Sequence, residues 1–216
     1  MMVIMFVVKA DMERVMKVSR EQVAENRRTI LEAASRLFRE RGFEAVTVAE
    51  IMKAAGLTHG GFYGYFKSKD ELIAAALAEA ITRSTTGPLG DLTTYAAEYL
   101  ARTHRDDLAG GCPTAALAAE SIRQTRGARG EMTTGLKQQI ERLSRVAPGG
   151  NPAQKRRTAI GSWAAMVGAM ILARASDDPA LSDEVLDQTR AWLEAQAKDR
   201  GQRNPRVGST KVRRRS

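Results

Sequence analysis

The sequence predicts an all-α protein. Alanine, leucine, arginine and glutamate recur along the chain, and all four are good helix formers. The two-residue alternation typical of strands is never sustained, while glycine and proline divide the chain into segments of helical length. At 216 residues the chain can bury a core without disulfides, and its lone Cys112 has no intrachain partner. A reducing, cytoplasmic location is therefore expected.

The first helix is expected from about Arg20 to Arg41. Ser19 is followed three residues later by Gln22, as in a capping box, and Gly42 supplies a C-terminal stop. The apolar stripe of this helix consists of Ile30, Leu31, Ala34, Leu37 and Phe38.

Two further capping boxes predict the second and fourth helices. Thr47–Glu50 opens the second helix, which ends at Gly56, and Ser68–Glu71 opens the fourth, which reaches about Arg83. A short third helix at about 59–66 lies between them. This is the layout of a helix-turn-helix, which places one helix in the major groove of DNA.

The third helix differs from its neighbours at its N-terminus. Thr58 is its expected N-cap, but Gly61 stands where a capping box has Glu or Gln, and no acidic residue lies between Lys53 and Lys67. A helix N-terminus carries partial positive charge, so an open one favours an outside anion such as a phosphate. The alternative is that this helix is simply short.

The third helix has two chemically different faces. Phe62 and Phe66 are four residues apart and are expected in the core. The other face carries His59, Gly60 and Tyr63, and is flanked by Tyr65 and Lys67. Gly60 is interpreted as a site of close approach to DNA, while for Gly61 and Gly64 tight helix packing remains an equal alternative.

The net charge of +9 is weaker evidence for a polyanionic partner than it first suggests. Seven of the nine charges belong to residues 200–216, which contain seven basic and no acidic residues. This tail is predicted to be disordered, either as a solvated segment or as an auxiliary phosphate contact.

Residues 27–73, and above all Phe62–Lys69 (FYGYFKSK), resemble the DNA-binding domain of the TetR family of bacterial transcriptional regulators. The resemblance implies contacts to the DNA backbone by Thr47, Tyr63, Tyr65 and Lys69. It implies contacts to bases or to the DNA backbone by Thr58, His59 and Gly60. With Lys67, which flanks the same face, these residues form the predicted DNA-binding set.

The resemblance also implies a helical second domain that binds a small-molecule effector and forms a homodimer. Helices are expected near 91–103, 113–124, 130–147, 152–174 and 179–198, the last two forming the dimer interface. The predicted segments are 1–17 as an extended start or loose arm, 18–67 as the helix-turn-helix domain, 68–199 as the effector-binding and dimerisation domain with the fourth helix as connector, and 200–216 as the tail. The expected partner is a palindromic double-stranded operator, with the protein acting as a repressor.

Two hypotheses concern the signal. Tyr95, Tyr99, Trp163, Met166 and Met170 are candidate pocket residues, although the same spacing is typical of core. Alternatively, Cys112 is a redox or electrophile sensor, because Pro113 places its thiol at a helix N-terminus. A packing role for a small buried residue is the competing interpretation.

Other function classes have little support. Two histidines and one cysteine are too few for the usual metal clusters or Cys–His pairs, so no enzyme activity, metal or cofactor is expected. An architectural, sequence-blind DNA binder acting through the tail remains an alternative. The apolar runs at 1–8 and 159–173 are too short to span a membrane, and the second is expected to be a buried helix.

Overall fold

The computed structural model describes the backbone of residues 2–202 and the side chains of residues 20–198. This described part contains nine α-helices, one 3₁₀ helix and no strand, which confirms the all-α prediction. The α-helices are α1 (Met2–Arg41), α2 (Val48–Ala54), α3 (Lys69–Thr85), α4 (Leu92–Tyr99), α5 (Arg102–Asp106), α6 (Pro113–Ser121), α7 (Arg126–Val146), α8 (Pro152–Ala175) and α9 (Pro179–Gln202), and the 3₁₀ helix is His59–Gly64.

Contacts divide the chain into two compact units. The first contains residues up to 84 together with 108–135, and the second contains 85–107 together with the residues from 136 onward. α3 and α6 therefore group with the helix-turn-helix, although the sequence assigned both to the effector-binding part. The tail expected at 200–216 lies outside the described residues from residue 203 onward.

The first helix begins earlier than expected. α1 starts at Met2 rather than Arg20, so Ser19 lies within a helix and the capping box expected there is wrong. Residues 2–41 contain no glycine or proline to interrupt the helix. The loose arm expected at 1–17 remains a prediction, because the side chains of these residues lie outside the described part.

Gly42 ends α1 and sets the core of the first unit. Its N–H donates to the Phe38 carbonyl at 2.8 Å, and its φ of +83° favours glycine. A Cβ at this position would overlap the carboxylate of Glu120, which accepts the Phe43 N–H at 2.7 Å. Glu120 therefore has a structural role in the first unit.

α7 begins four residues before the expected start. Gly127 and Gly130 both lie within the helix, where Ala128 is fully buried. Further along, a Cβ at Gly135 would lie only 2.8 Å from Ile81, so α7 and α3 pack closely there. This packing favours the helix despite its glycines.

α8 and α9 form the main helix pair of the second unit. Both expected starts are confirmed. Asn151 Oδ1 accepts the Gln154 N–H at 2.9 Å, and Asp178 Oδ1 accepts the Ala180 N–H at 2.8 Å. In each helix proline occupies the first position, where its missing N–H costs nothing.

The helix expected at 91–103 is broken into α4 and α5. His104 Nδ1 donates to the Tyr99 carbonyl at 2.6 Å, so a side chain satisfies the last turn of α4. Arg174 of α8 donates to the carbonyls of His104 and Arg105, and these contacts hold α5 against α8. Burial lowers the pKa of His104, which keeps the imidazole neutral at pH 7.

α8 is long and apolar enough to meet a length-and-hydropathy criterion for a membrane span, which is weak evidence taken alone. Eight of its residues are buried within the protein, as expected for a core helix. They are Thr158, Ala159, Ser162, Trp163, Met166, Ala169, Met170 and Ala173.

Candidate nucleic-acid interface

The residues predicted to contact DNA form an exposed surface on the first unit. Tyr63 has 74% of its surface exposed. Tyr65 and Lys69 are half-buried, whereas the others are exposed: Thr47, Thr58, His59, Gly60 and Lys67.

Two buried phenylalanines fix the orientation of this surface. Phe62 and Phe66 are each 1% exposed and their rings stack with centroids 5.9 Å apart, which confirms their predicted place in the core. Tyr63 meets Phe62 edge-on at 5.3 Å, and the Arg27 guanidinium lies 4.9 Å from the Phe66 ring centroid. The inward face is thus anchored, and the opposite face is presented to solvent.

The expected third α-helix is a 3₁₀ helix of six residues. Gly60, Gly61 and Gly64 explain its shortness, because each costs about 0.5–1 kcal/mol relative to alanine. Thr58 occupies the N-cap position with extended backbone angles but makes no side-chain cap, and the first turn has no acidic residue. The open N-terminus expected from the sequence is confirmed among the described contacts.

The neighbouring helices are capped by their own side chains. At α2, Thr47 and Glu50 form the complete capping box, and the Thr47 hydrogen bonds together with Arg41 lower the pKa of Glu50 to about 2. At α3, Ser68 Oγ accepts the Glu71 N–H at 3.1 Å, and Glu71 Oε2 accepts the Lys67 N–H at 2.7 Å. With the box at Ser19 absent, two flanking helices rather than three are self-capped.

The cap changes what Thr47 can offer a phosphate. Its hydroxyl donates to Glu50 Oε2 at 2.8 Å and accepts the Glu50 N–H at 3.2 Å. Phosphate oxygens only accept hydrogen bonds, so Thr47 has to release Glu50 before its hydroxyl binds one. The predicted contact of Thr47 with the DNA backbone is therefore the least favoured among the predicted DNA-binding residues.

Tyr65 has an intramolecular partner that the sequence analysis missed. The Asn26 side-chain amide donates to the Tyr65 hydroxyl at 2.8 Å, although the two residues are 39 positions apart. A signal did exist: Asn26 lies one turn before Ile30, on the face of α1 that carries the apolar stripe.

Space around the glycines separates their roles. A Cβ at Gly60 or Gly64 would meet no atom within 4 Å, and one at Gly61 would make only ordinary contacts, the nearest being Thr58 Oγ1 at 3.7 Å. None of the three has a positive φ. Tight helix packing therefore does not explain Gly60 or Gly64, and close approach of an outside partner remains the interpretation for Gly60.

Cys112 is buried, with 8% of its surface exposed. It occupies the N-cap position of α6 before Pro113, as expected, but its thiol makes no side-chain cap. The structure does not place it among the predicted DNA-binding residues.

The candidate pocket residues lie in the second unit and, apart from half-buried Tyr95, are buried. The Tyr99 ring meets Trp163 at 5.2 Å and His104 at 4.7 Å, and the Tyr95 hydroxyl accepts from Gln139 at 2.8 Å. A separate cleft beside Trp192 holds about 50 Å³. Ligand pockets are usually several hundred Å³, so this cleft is too small for a drug-sized molecule. Among the described residues no three His, Cys, Asp or Glu side chains are placed to hold a metal.

Comparison with known proteins identifies the N-terminal domain. Residues 30–76 match the model for bacterial regulatory proteins of the tetR family. The N-terminal domain belongs to the TetR family. The match contains every predicted DNA-binding residue from Thr47 to Lys69, and it confirms the resemblance seen in the sequence.

Relatives of the TetR-family domain are named transcriptional regulators. It is similar to TtgR of Pseudomonas putida, 42% identical over 59 residues that cover 27% of this chain and 28% of TtgR. It is also similar to the repressor KstR2 of Mycolicibacterium smegmatis, 33% identical over 95 residues that cover 39% of this chain and 46% of KstR2. The chain thus matches less than half the length of these relatives.

Solved structures extend the likeness in fold to about four fifths of the chain. A TetR-family regulator from Agrobacterium tumefaciens superposes with a TM-score of 0.66 at 21% identity, covering 80% of this chain and 98% of that one. The reduced form of NemR from Escherichia coli superposes with a TM-score of 0.59 at 22% identity, covering 79% and 96%. The helices that follow the TetR-family domain therefore have the architecture of the structures in this family.

Proposed function

We propose that this protein is a dimeric transcriptional repressor that binds a palindromic operator and is released by a small-molecule effector. The observation that carries the proposal is the surface around the 3₁₀ helix. Exposed tyrosine, histidine and lysine side chains surround a helix end with no acidic residue and no side-chain cap. Such a surface suits phosphates and base edges.

Each residue has a role in this proposal. His59 and Gly60 begin the 3₁₀ helix and would approach the base edges of the major groove. Tyr63, Tyr65 and Lys67 would bind phosphates on either side and so fix the register. Lys69 would add a charge at the start of α3.

The exposed apolar residues of α8 and α9 support the homodimer. Both helices carry large side chains that are at least 41% exposed: Ile160, Ile171 and Leu172 on α8, and Leu181 and Trp192 on α9. A Cβ at Gly161 or Gly168 would meet no atom within 4 Å, so a second copy can approach the α8 backbone closely. Several large exposed apolar side chains on one pair of helices are typical of an interface. A single short recognition helix also reads too few bases without a two-fold partner.

The buried aromatic cluster of the second unit supports an internal effector site. Trp163 is 7% exposed, and its indole N–H has no hydrogen-bond partner among the described atoms. A buried donor left unsatisfied is costly, and a ligand acceptor would remove that cost. An effector that binds the non-operator conformation better would shift the population and release the DNA.

The alternative signal is oxidation or electrophile attack at Cys112. Its position at the N-cap of α6 places the sulfur at the positive end of the helix dipole, whereas its burial opposes attack from solvent. Burial outweighs position here, because the reagent has to reach the sulfur.

Brief treatment with N-ethylmaleimide is therefore expected to leave operator affinity unchanged, both in the wild type and in Cys112→Ser. Operator binding measured by fluorescence anisotropy checks this, and mass spectrometry reports whether the thiol reacted. Rapid operator loss by the wild type alone would establish Cys112 as the sensor instead.

Selection of DNA fragments bound by the protein tests the proposed function. A dimeric regulator enriches a sequence with two-fold symmetry, whereas an architectural binder acting through the basic tail enriches none. The protein is expected to act in the cytoplasm, where its DNA is found.

A further inference from the structure

Three polar side chains form a chain that ends at the candidate DNA surface. Gln22 Nε2 donates to Asn26 Oδ1 at 2.9 Å, and Asn26 Nδ2 donates to the Tyr65 hydroxyl at 2.8 Å. Gln22 is exposed, and both Asn26 and Tyr65 are half-buried. Gln22 and Asn26 lie outside residues 30–76, which match the family model.

The direction of these hydrogen bonds sets the chemistry of Tyr65. A phenolic hydroxyl has one proton to donate and lone pairs that accept. Asn26 uses a lone pair, and no described acceptor takes the Tyr65 proton. That proton is therefore available to an outside acceptor, and a phosphate oxygen is such an acceptor.

Gln22 fixes the orientation of the Asn26 side-chain amide. If the Asn26 amide were flipped, its Oδ1 would face Tyr65 and accept a hydrogen bond from the Tyr65 hydroxyl. The Gln22 amide donates to that oxygen and so keeps it turned away from Tyr65. The energetic cost of orienting the donor is met on folding rather than on binding.

We propose that Gln22 and Asn26 are positioning residues that make Tyr65 a hydrogen-bond donor to a DNA phosphate. This inference rests on the proposed function and adds to it a relay from α1, here called the amide relay (Gln22, Asn26 and Tyr65). The relay carries no charge, so it contributes geometry rather than counterion release.

A double-mutant cycle with Asn26→Asp and Tyr65→Phe tests the amide relay. Tyr65→Phe removes the donor and is expected to weaken affinity for the selected operator about tenfold, the size of one hydrogen bond to a charged group. The carboxylate introduced by Asn26→Asp only accepts hydrogen bonds, so the Tyr65 hydroxyl donates to it instead of to a phosphate. The expected loss of affinity is the same as in Tyr65→Phe, together with a few-fold loss from the added charge. When Tyr65→Phe is already present only the charge effect remains, so the two changes are expected to be non-additive by about tenfold.

Gln22→Glu provides a second variant at an exposed position where folding is not at risk. A carboxylate cannot donate to Asn26 Oδ1, so the Asn26 amide flips and its oxygen accepts a hydrogen bond from the Tyr65 hydroxyl. The expected loss of affinity is larger when Tyr65 is intact than when Gln22→Glu is combined with Tyr65→Phe. The thermal unfolding midpoints of all variants show that the fold is retained.

Salt dependence separates this role from that of a charged contact. The slope of log affinity against log salt is negative. Its magnitude is expected to be unchanged by Tyr65→Phe and to decrease by about 0.9 in Lys67→Ala, because only the lysine displaces a counterion. Additive losses in both cycles with wild-type binding intact would overturn the amide relay alone. Failure of the wild type to bind any selected duplex would overturn the proposed function together with it.

Discussion

Replacing Leu172 with glutamate is expected to convert the proposed dimer to a monomer. Leu172 is 61% exposed on α8, one of the two helices of the proposed interface. A carboxylate placed in that interface would lose its hydration when the two copies meet, and this cost opposes association. Operator affinity is expected to fall at least about 100-fold, because each half-site is then bound without the other. Light scattering measures the mass, and anisotropy the affinity.

Ile122→Glu is the matched control for this substitution. Ile122 is 72% exposed and lies outside α8 and α9, so the same change of residue type removes as much exposed apolar surface elsewhere. This control is expected to remain dimeric. A dimeric Leu172→Glu protein would contradict the assignment of the interface to α8 and α9.

Replacing Gly60 with glutamate is expected to weaken DNA binding about 10- to 100-fold without changing the fold. A Cβ at Gly60 meets nothing within 4 Å, so the side chain is accommodated in the free protein. The new carboxylate would stand at the open end of the 3₁₀ helix, where repulsion by a phosphate about 4 Å away costs about 1–4 kcal/mol. Gly61 is a poorer position for this test, because a Cβ there already contacts Thr58 and Met52.

Gly60→Gln separates charge from size at this position. Glutamine occupies nearly the same volume, so the difference in affinity between the two variants reports the charge alone. Both variants are expected to remain dimers with wild-type unfolding midpoints. Equal affinity of the Glu and Gln variants would refute the view that the open helix end faces phosphate.

The helix-turn-helix was predictable because its signals are local. The capping box at Thr47, the stop at Gly42 and the spacing of Phe62 and Phe66 each act within one or two helical turns, and the structure confirms all of them. The start of α1 is the exception, because the local signal at Ser19 does not begin the helix there.

Errors arose where distant contacts decide the local structure. The break between α4 and α5 depends on His104 and on Arg174, which is about 70 residues away. The helix through Gly127 is stabilised by packing rather than by propensity. In the candidate site, Asn26 was missed for the same reason, because only tertiary structure brings it to Tyr65.

The most direct test of the account is selection of bound DNA fragments, carried out with the full chain and with a chain that ends at Lys198. The truncation removes the seven basic residues of the tail and leaves the helix-turn-helix intact. Both proteins are expected to enrich the same sequence, with two half-sites related by two-fold symmetry. Enrichment of no sequence, or loss of all binding on truncation, would contradict operator recognition by the 3₁₀ helix and its flanking residues.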